Sequence, residues 1–289
     1  MAGRVAIVTG SNTGIGMETA RDLARRGAKV ILACRDLEKA ERAASEIRRS
    51  NSNLHVVPKY CDLASLKSVR NFADDILASE QKLDVLVCNA GSGSPFGRHL
   101  TQDGFEMQFQ TNHLGHFLLI NLLLDLMERT PSGARIVITS SLAHRFGRID
   151  LQNIARADHY SSHPFLTYCD TKLLNVITTK ELARRLQATN SNVTVNALHP
   201  GTIFTNGIRY NEIWYVQLFL LFMCYLYGHR TEEQGAQTLI HLAVSEETEE
   251  VTGQYFADCR LAAYHPLADD GVLGSKIWRL SCQLSGLDK

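Results

Sequence analysis

Tyr168 and Lys172 are four residues apart, in the run Tyr168-Cys169-Asp170-Thr171-Lys172, within a stretch of helix length. Residues at i and i+4 lie on one face of a helix, so this spacing sets a phenol beside an ammonium. A free phenol ionises at a pH of about 10. A neighbouring cation favours the phenolate and can lower that value by about 1–3 units, which equips Tyr168 to give and take a proton near neutrality. A Tyr/Lys pair at this spacing arises often by chance, and its meaning comes from what accompanies it. Ser140-Ser141 closes the apolar run 134–139, Asn112 lies in a long apolar stretch, and Asn89-Ala90-Gly91 follows the apolar run 84–88. Residues so placed collect at the carboxyl side of a sheet, where α/β proteins bind their ligands.

A second signal lies near the N-terminus. The apolar run Arg4–Thr9 leads into Gly10-Ser11-Asn12-Thr13-Gly14-Ile15-Gly16, and a helical pattern follows. Glycines there permit a tight turn and bring backbone N–H groups close to a pyrophosphate, and the helix N-terminus adds favourable dipole charge. The spacing G-x-x-x-G-x-G differs from the more familiar G-x-G-x-x-G, and alone such a pattern is weak. Its position between the first strand and first helix marks a dinucleotide site, with residues 10–16 as cofactor contacts. The second strand ends Ala33-Cys34-Arg35-Asp36. An Arg at that point accommodates a 2′-phosphate, an acidic residue a ribose 2′-hydroxyl. Arg35 can make a charge-assisted, bidentate phosphate contact and favours NADP(H) over NAD(H). Asp36 either holds a ribose or caps the helix that begins at Leu37. Asp62, with Leu63 beside it at the end of the third strand, either contacts adenine or caps the helix region near Ser65.

These residues need a scaffold, and the chain supplies one by alternation. Strand-length apolar runs at 4–9, 29–33, 54–58, 84–88, 134–139 and 192–197, and a short one near 254–257, alternate with amphipathic stretches. Those stretches, expected as helices, cover about 15–26, 37–49, 66–79, 103–128, 167–188 and 232–244. Val/Ile-rich runs without polar alternation belong to a parallel sheet covered on both faces. The pattern predicts a doubly wound α/β fold with a mainly parallel, seven-stranded sheet. No Pro/Gly/Ser linker, repeat or low-complexity tract interrupts residues 1–289, so one domain is expected.

Composition narrows the classes of function. Thirty Lys and Arg balance thirty Asp and Glu, which lacks the basic footprint of a nucleic-acid binder. With 45% apolar and 21% charged residues, the chain is no acidic disordered segment. Seven cysteines, at 34, 61, 88, 169, 224, 259 and 282, contain no C-x-x-C pair. A reducing compartment is therefore expected rather than a disulfide framework or zinc ribbon. His113 and His116 lack the H-E-x-x-H or Cys/His company of a metal site, and no metal is expected. Neither a signal peptide nor a spanning helix is read, so the expected location is cytoplasmic or peripheral to an intracellular membrane. The segment 213–227, IWYVQLFLLFMCYLY, is nearly all apolar. It is too short to span a bilayer, and reads as a pocket-covering helix, a contact with a membrane surface or the mouth of a site for a greasy ligand.

The motifs, taken together and in order, resemble the short-chain dehydrogenase/reductase family over essentially the whole chain. They are T-G-x-x-x-G-x-G at 9–16, N-A-G at 89–91, Ser141, Y-x-x-x-K at 168–172 and P-G-x-x-x-T at 200–205. Further stretches are similar to its NADP-preferring retinol dehydrogenase/retinal reductase branch: LACRD at 32–36, DGFE at 103–106, NHLGHFLL at 112–119, SSLAH at 140–144, ELARRL at 181–186, HPGT at 199–202 and QGAQT at 234–238.

The resemblance implies a Rossmann-type fold and reversible hydride transfer between nicotinamide C4 and a carbonyl or alcohol carbon. It implies Tyr168 as acid/base and Lys172 as a ligand of the nicotinamide ribose. Ser141, rather than Ser140, would donate to the substrate oxygen, and Asn112 would hold a water that relays protons toward Lys172. Asn89, Ala90, Gly91, Pro200, Gly201, Thr202 and Thr205 would line the cofactor, the two threonines at the nicotinamide carboxamide or phosphates. The expected substrate is a small lipophilic alcohol, aldehyde or ketone, retinol/retinal foremost. A steroid or general carbonyl reductase, and a non-catalytic NADP(H)-binding scaffold, are the alternatives. A homodimer through the long helices at 103–128 and 167–188 is a family expectation. The chain departs from the family at Cys88, where Asn is common, which puts the local hydrogen bonding in question.

Overall fold

The first strand, β1 (Val5–Thr9), is buried along its whole length, as a five-residue Val/Ile-rich run must be when helices cover both faces of a sheet. In the computed structural model, which describes residues 1–51, 55–93, 99–154, 164–201 and 230–287, β1 lies within one sheet. Its partners are β2 (Lys29–Cys34), β3 (Val56–Tyr60), β4 (Val85–Cys88), β5 (Ala134–Thr139), β6 (Val193–Leu198), β7 (Tyr255–Ala257) and β8 (Arg260–Leu261), in the spatial order β3-β2-β1-β4-β5-β6-β7-β8. All pairings are parallel except β7 with β8. Strand order reverses between β1 and β4, which lays their carboxyl ends side by side at the switch point where doubly wound sheets bind ligands. Pro58 is accommodated because β3 is an edge strand.

The expected seven strands become eight. β8 is two residues long and follows a two-residue turn, Asp258-Cys259, in which both φ angles are positive, at 54° and 59°. That conformation is the one a tight hairpin demands, but it normally announces itself through Asn or Gly, and a two-residue strand carries no period.

On one face of the sheet pack α1 (Gly14–Arg25), α2 (Leu37–Asn51) and α7 (Glu232–Val244), through Leu23, Ile47, Leu239 and Leu242. The other face takes α3 (Leu66–Ser79), α5 (Gly115–Glu128) and α6 (Pro164–Ala188), through Phe72, Ile76, Leu123 and Leu182. The expected helix at 103–128 starts later and is not uniform: a short α4 (Met107–Phe109) runs into a π-helical turn (Gln110–Leu114) before α5. The helix expected from Thr167 begins three residues earlier, at Pro164, whose missing N–H costs nothing in a first turn.

A final helix, α8 (Gly271–Ser285), was not legible in the sequence. Asp270 caps it, accepting from Val272 N and Leu273 N at 2.9 Å, and Gly286 ends it in the left-handed conformation at φ 67°. Its buried positions are Gly274, Ile277, Trp278, Ser281 and Ser285; mostly small or polar, they leave almost no apolar period. α8 lies across α5 and α6: Trp278 meets Phe117 edge-on at 4.8 Å, and Arg185 stacks on Trp278 at 4.6 Å. α8 thus covers part of the surfaces of α5 and α6. Among the described residues no helix is long and apolar enough to cross a membrane, and no group of three or more His, Cys, Asp or Glu could hold a metal ion. The apolar segment 213–227, Thr202 and Thr205 lie outside the described residues.

Candidate active site

The glycine turn is built by contacts that exclude side chains. Gly10 and Gly14 have φ near +62° and +63°, which L side chains rarely adopt. A Cβ on Gly16 would stand 2.4 Å from Asn89 Nδ2 and 2.7 Å from Gly10 O, and one on Gly10 would stand 2.8 Å from Ala90 Cβ. The turns 10–16 and 89–91 are therefore interlocked. Thr9 Oγ1 accepts from Asn89 N (2.9 Å) and Ala90 N (3.0 Å), and Asn89 Nδ2 donates to Thr9 O at 3.0 Å. Ser11 is fully buried, its hydroxyl donating to Val8 O at 2.7 Å. Ile15 packs partly into the core.

Thr13 stands at the N-cap of α1 without a side-chain cap bond, and the first turn holds no acidic residue. The helix therefore presents its free N–H groups and positive dipole end without competition from the protein. Asn89 Oδ1 is buried with no partner, an acceptor left over at the same switch point. The glycine cradle, the open helix end and this orphaned oxygen fit a dinucleotide. Cys88, at the family's usual Asn position, is fully buried and its thiol is pushed well above its ordinary range by burial; Asn89 makes its contacts regardless.

At the end of β2 the two candidate residues part company. Asp36 caps α2, accepting from Lys39 N at 3.0 Å and pairing with Lys39 Nζ at 3.0 Å, and those bonds hold its carboxyl below the usual range. Arg35 is exposed and has no ion pair or hydrogen bond among the described residues. Asp62 is not the cap of α3, because Ser65 fills that role, accepting from Ser68 N at 3.3 Å. Asp62 Oδ1 instead accepts from Ala64 N at 3.0 Å. The Leu63 side chain is buried, and its carbonyl would stand 2.5 Å from a Cβ on Gly115.

The four catalytic candidates converge. Tyr168 and Lys172 share a face of α6, with Lys172 Nζ 5.6 Å from the Tyr168 ring centroid. Lys172 is 3% exposed, donates to Thr139 O at 3.1 Å, and has no carboxylate partner among the described residues. A Cβ on Gly91 would stand 3.3 Å from Lys172 Nζ and 3.5 Å from Asn112 Oδ1, so Gly91 brings the ammonium and the carboxamide together. Asn112 accepts from Ser92 N at 2.7 Å and donates to Ser92 O (3.0 Å) and Thr171 Oγ1 (3.1 Å). Its side chain clamps the 91–92 turn to α6, and the π-helical turn that carries it is a common device at functional sites. Ser141, just beyond β5, lies close enough to the Tyr168 side chain to favour its ionised form. Ser140 donates to Lys172 O at 2.7 Å and so supports α6.

The electrostatics differ from the simplest expectation. Burial pushes the Tyr168 phenol above its ordinary value, and the nearby Ser141 hydroxyl only partly opposes this. Burial also pushes the Lys172 ammonium down to about 8. Desolvation outweighs the expected lowering of Tyr168 by Lys172: Tyr168 holds its proton as an acid, beside a lysine still charged at neutrality.

Several participants were not singled out from the sequence. His116 sits behind Asn112, its Nδ1 3.3 Å from Asn112 O and its Nε2 2.9 Å from Thr9 Oγ1. Thr9 Oγ1, which accepts two N–H groups, also donates to Val87 O at 3.4 Å. Gly201 has φ +86°, and a Cβ there would stand 2.8 Å from Arg230 Cδ, the guanidinium of which pairs with Asp258. Pro200 and Gly201 are partly buried. No recognised local pattern marks Arg230 or Thr139; contacts across the sheet select them.

The short chain dehydrogenase family profile matches residues 4–214. Mouse retinol dehydrogenase 11 is 46% identical over 291 residues, covering 99% of this chain and 88% of that protein. Human retinol dehydrogenase 13 is 45% identical over 297 residues, covering 99% and 86%. Among solved structures, an uncharacterized protein from Mycobacterium paratuberculosis superposes with a TM-score of 0.77 at 34% identity, covering 99% of this chain and 94% of that one. A short-chain type dehydrogenase/reductase from Mycobacterium marinum gives a TM-score of 0.69 at 25% identity, covering 88% and 93%. The chain is an oxidoreductase of the short-chain dehydrogenase/reductase family.

Proposed function

We propose that the protein interconverts a lipophilic alcohol with its aldehyde or ketone, retinol and retinal first, using NADP(H) in preference to NAD(H). The observation that carries the reading is the convergence of Ser141, Tyr168, Lys172 and Asn112 beside the interlocked glycine turn. The preference for the 2′-phosphate rests on Arg35, which lacks a protein partner among the described residues, while Asp36 is engaged as a helix cap. The retinoid assignment rests on relatives named retinol dehydrogenases, 41–46% identical along nearly the whole chain.

When bound, the nicotinamide supplies or accepts the hydride. The N–H groups at the α1 N-terminus would hold the pyrophosphate, with Asn89 beside them, and Arg35 would hold the 2′-phosphate. In the direction of reduction Tyr168 is the proton donor, kept protonated by burial. Ser141 donates to the same carbonyl oxygen as negative charge develops there. Lys172, still charged at neutrality, stabilises the phenolate that Tyr168 becomes. Asn112 fixes the 91–92 turn beside that charge.

The test is reduction of all-trans-retinal by the purified protein with NADPH, with NADH and the Tyr168→Phe variant alongside. Turnover with NADPH, weaker with NADH and lost in the variant, is the expected result. Undiminished turnover by the variant overturns the proton-transfer assignment. NADPH binding without retinal turnover removes the retinoid, and a panel of steroids and small carbonyls then distinguishes another reductase from a scaffold.

A further inference from the structure

Behind Ser141 lies a buried histidine that this mechanism does not use. Ser141 begins the 3₁₀ turn Leu142–Phe146, and its Oγ accepts from Ala143 N at 3.2 Å. With that N–H on one lone pair, the Ser141 hydroxyl proton is available to a second oxygen. The Ser141 carbonyl is gripped from three sides: by His144 N at 3.0 Å, by the His144 ring nitrogen Nδ1 at 2.7 Å and, more loosely, by the Tyr255 hydroxyl at 3.4 Å. On the far side of the ring, His144 Nε2 accepts from His265 N at 3.2 Å. Because a backbone amide can only donate, Nε2 carries no proton, and Nδ1 is the donor to Ser141 O.

The ring cannot take another state cheaply. His144 is fully buried, with Tyr255 against it at 4.7 Å. A 180° flip would put carbon where both nitrogens now bond. Protonation would set a second hydrogen against the His265 amide and place a cation near the Arg145 guanidinium. Burial and that guanidinium push the imidazole down to about 4. A rigid ring with a donor at one end and an acceptor at the other is a property of neutral imidazole alone among side chains.

We propose that His144 is a positioning residue for Ser141: its neutral Nδ1–H imidazole fixes the Ser141–Leu142 peptide and thereby aims the serine hydroxyl, anchoring it to the C-terminal segment through His265. The inference rests on the reading of Ser141 as donor to the substrate oxygen. Arg145 supplies a second tie to the same segment, donating to Ala263 O at 3.1 Å. Tyr255, at the start of β7, packs on the His144 ring with its hydroxyl 3.2 Å from Nδ1.

Two measurements test it. Nitrogen-15 NMR of the imidazoles in the cofactor-free protein reads the tautomer with no substrate present; a neutral Nδ1–H ring at position 144 between pH 5.5 and 8 is expected. An Nε2–H or protonated ring there overturns the proposal, whatever the protein's activity. Kinetics then compare His144→Asn, which retains a donor where Nδ1 stands, with His144→Leu, which has none. His144→Leu should lose about 10- to 100-fold in kcat with the KM for NADPH within about twofold, and His144→Asn should recover most of the loss, since one hydrogen bond at an active site is at stake. Thermal unfolding of both variants checks that each is folded at the assay temperature. If wild type turns over and His144→Leu retains its kcat, or if Asn rescues nothing, the positioning role falls while the activity stands. If wild type turns over no carbonyl, the reading of Ser141 falls, and the imaging of the tautomer still decides whether the grip exists.

Discussion

Replacing Lys172 with methionine should make the protein more stable and inactive at once. Lys172 is 3% exposed, its ammonium bonds only Thr139 O, and no carboxylate pairs with it among the described residues. Its value of about 8, against 10.5 for an exposed lysine, corresponds to roughly 3 kcal/mol of penalty at pH 7. Met fills a similar volume without charge but forfeits the amine's hydrogen bond, worth about 1 kcal/mol. The net expectation is a gain of about 2 kcal/mol, which for a chain of this size raises Tm by about 5 °C. The sign with pH is fixed. Below pH 8 folded and unfolded chains both carry the charge, and the wild type bears the full penalty. Between pH 8 and 10.5 the folded lysine has released its proton while the unfolded one has not, so wild-type stability rises relative to the variant by about 1.4 kcal/mol per pH unit. The gap between the two proteins should therefore close across that window. Urea unfolding of wild type and Lys172→Met at pH 7, 8, 9 and 10 measures it. A variant less stable at pH 7, or a difference that does not change with pH, refutes the claim that the active-site lysine is held charged at the expense of the fold.

Three further outcomes are expected. Arg35→Ser should weaken NADPH affinity by about 10- to 100-fold, the worth of a charge-assisted contact, and leave NADH affinity within about twofold, as measured by titration of cofactor fluorescence. Gly16→Ala should abolish NADPH binding and lower Tm, because its Cβ would stand 2.4 Å from Asn89 Nδ2 and 2.7 Å from the Gly10 carbonyl; normal binding would mean the two turns are not interlocked. Trp278→Ala should cost about 3–5 kcal/mol in urea unfolding, since Trp278 is 8% exposed between Phe117 and Arg185; a cost near zero would show that α8 does not seal this face.

The parts of the molecule legible in the sequence are those whose signal is local. β1 and β5, buried along their length and mostly apolar, are visible as runs, and Tyr168/Lys172 as a helical spacing. Asp36 could be read two ways, because a carboxylate suits both a ribose and a helix cap; only its bonds to Lys39 decide. α8 escaped because its buried face is built from Gly274, Ser281 and Ser285 as much as from Ile277 and Trp278. The electrostatic expectation for Tyr168 failed for a related reason: spacing supplies a neighbour, but desolvation depends on everything else around it. His144 stood inside a quoted motif and carried no visible role, since Tyr255 and His265, the groups that give it one, are 111 and 121 residues away.

That separation has a consequence in time. A ribosome adding about 5–20 residues per second needs roughly 6–24 seconds to pass from His144 to His265, a distance of 121 residues. Through that interval the first five strands and the glycine turn already exist as chain, and β1, β2 and β4 can pair around the nucleotide cradle. Tyr255 and His265, which hold the His144 ring, do not yet exist. A nascent or truncated chain can therefore acquire the cradle before it acquires an aimed Ser141, and the segment from Tyr255 to His265 completes a site whose named residues all precede it.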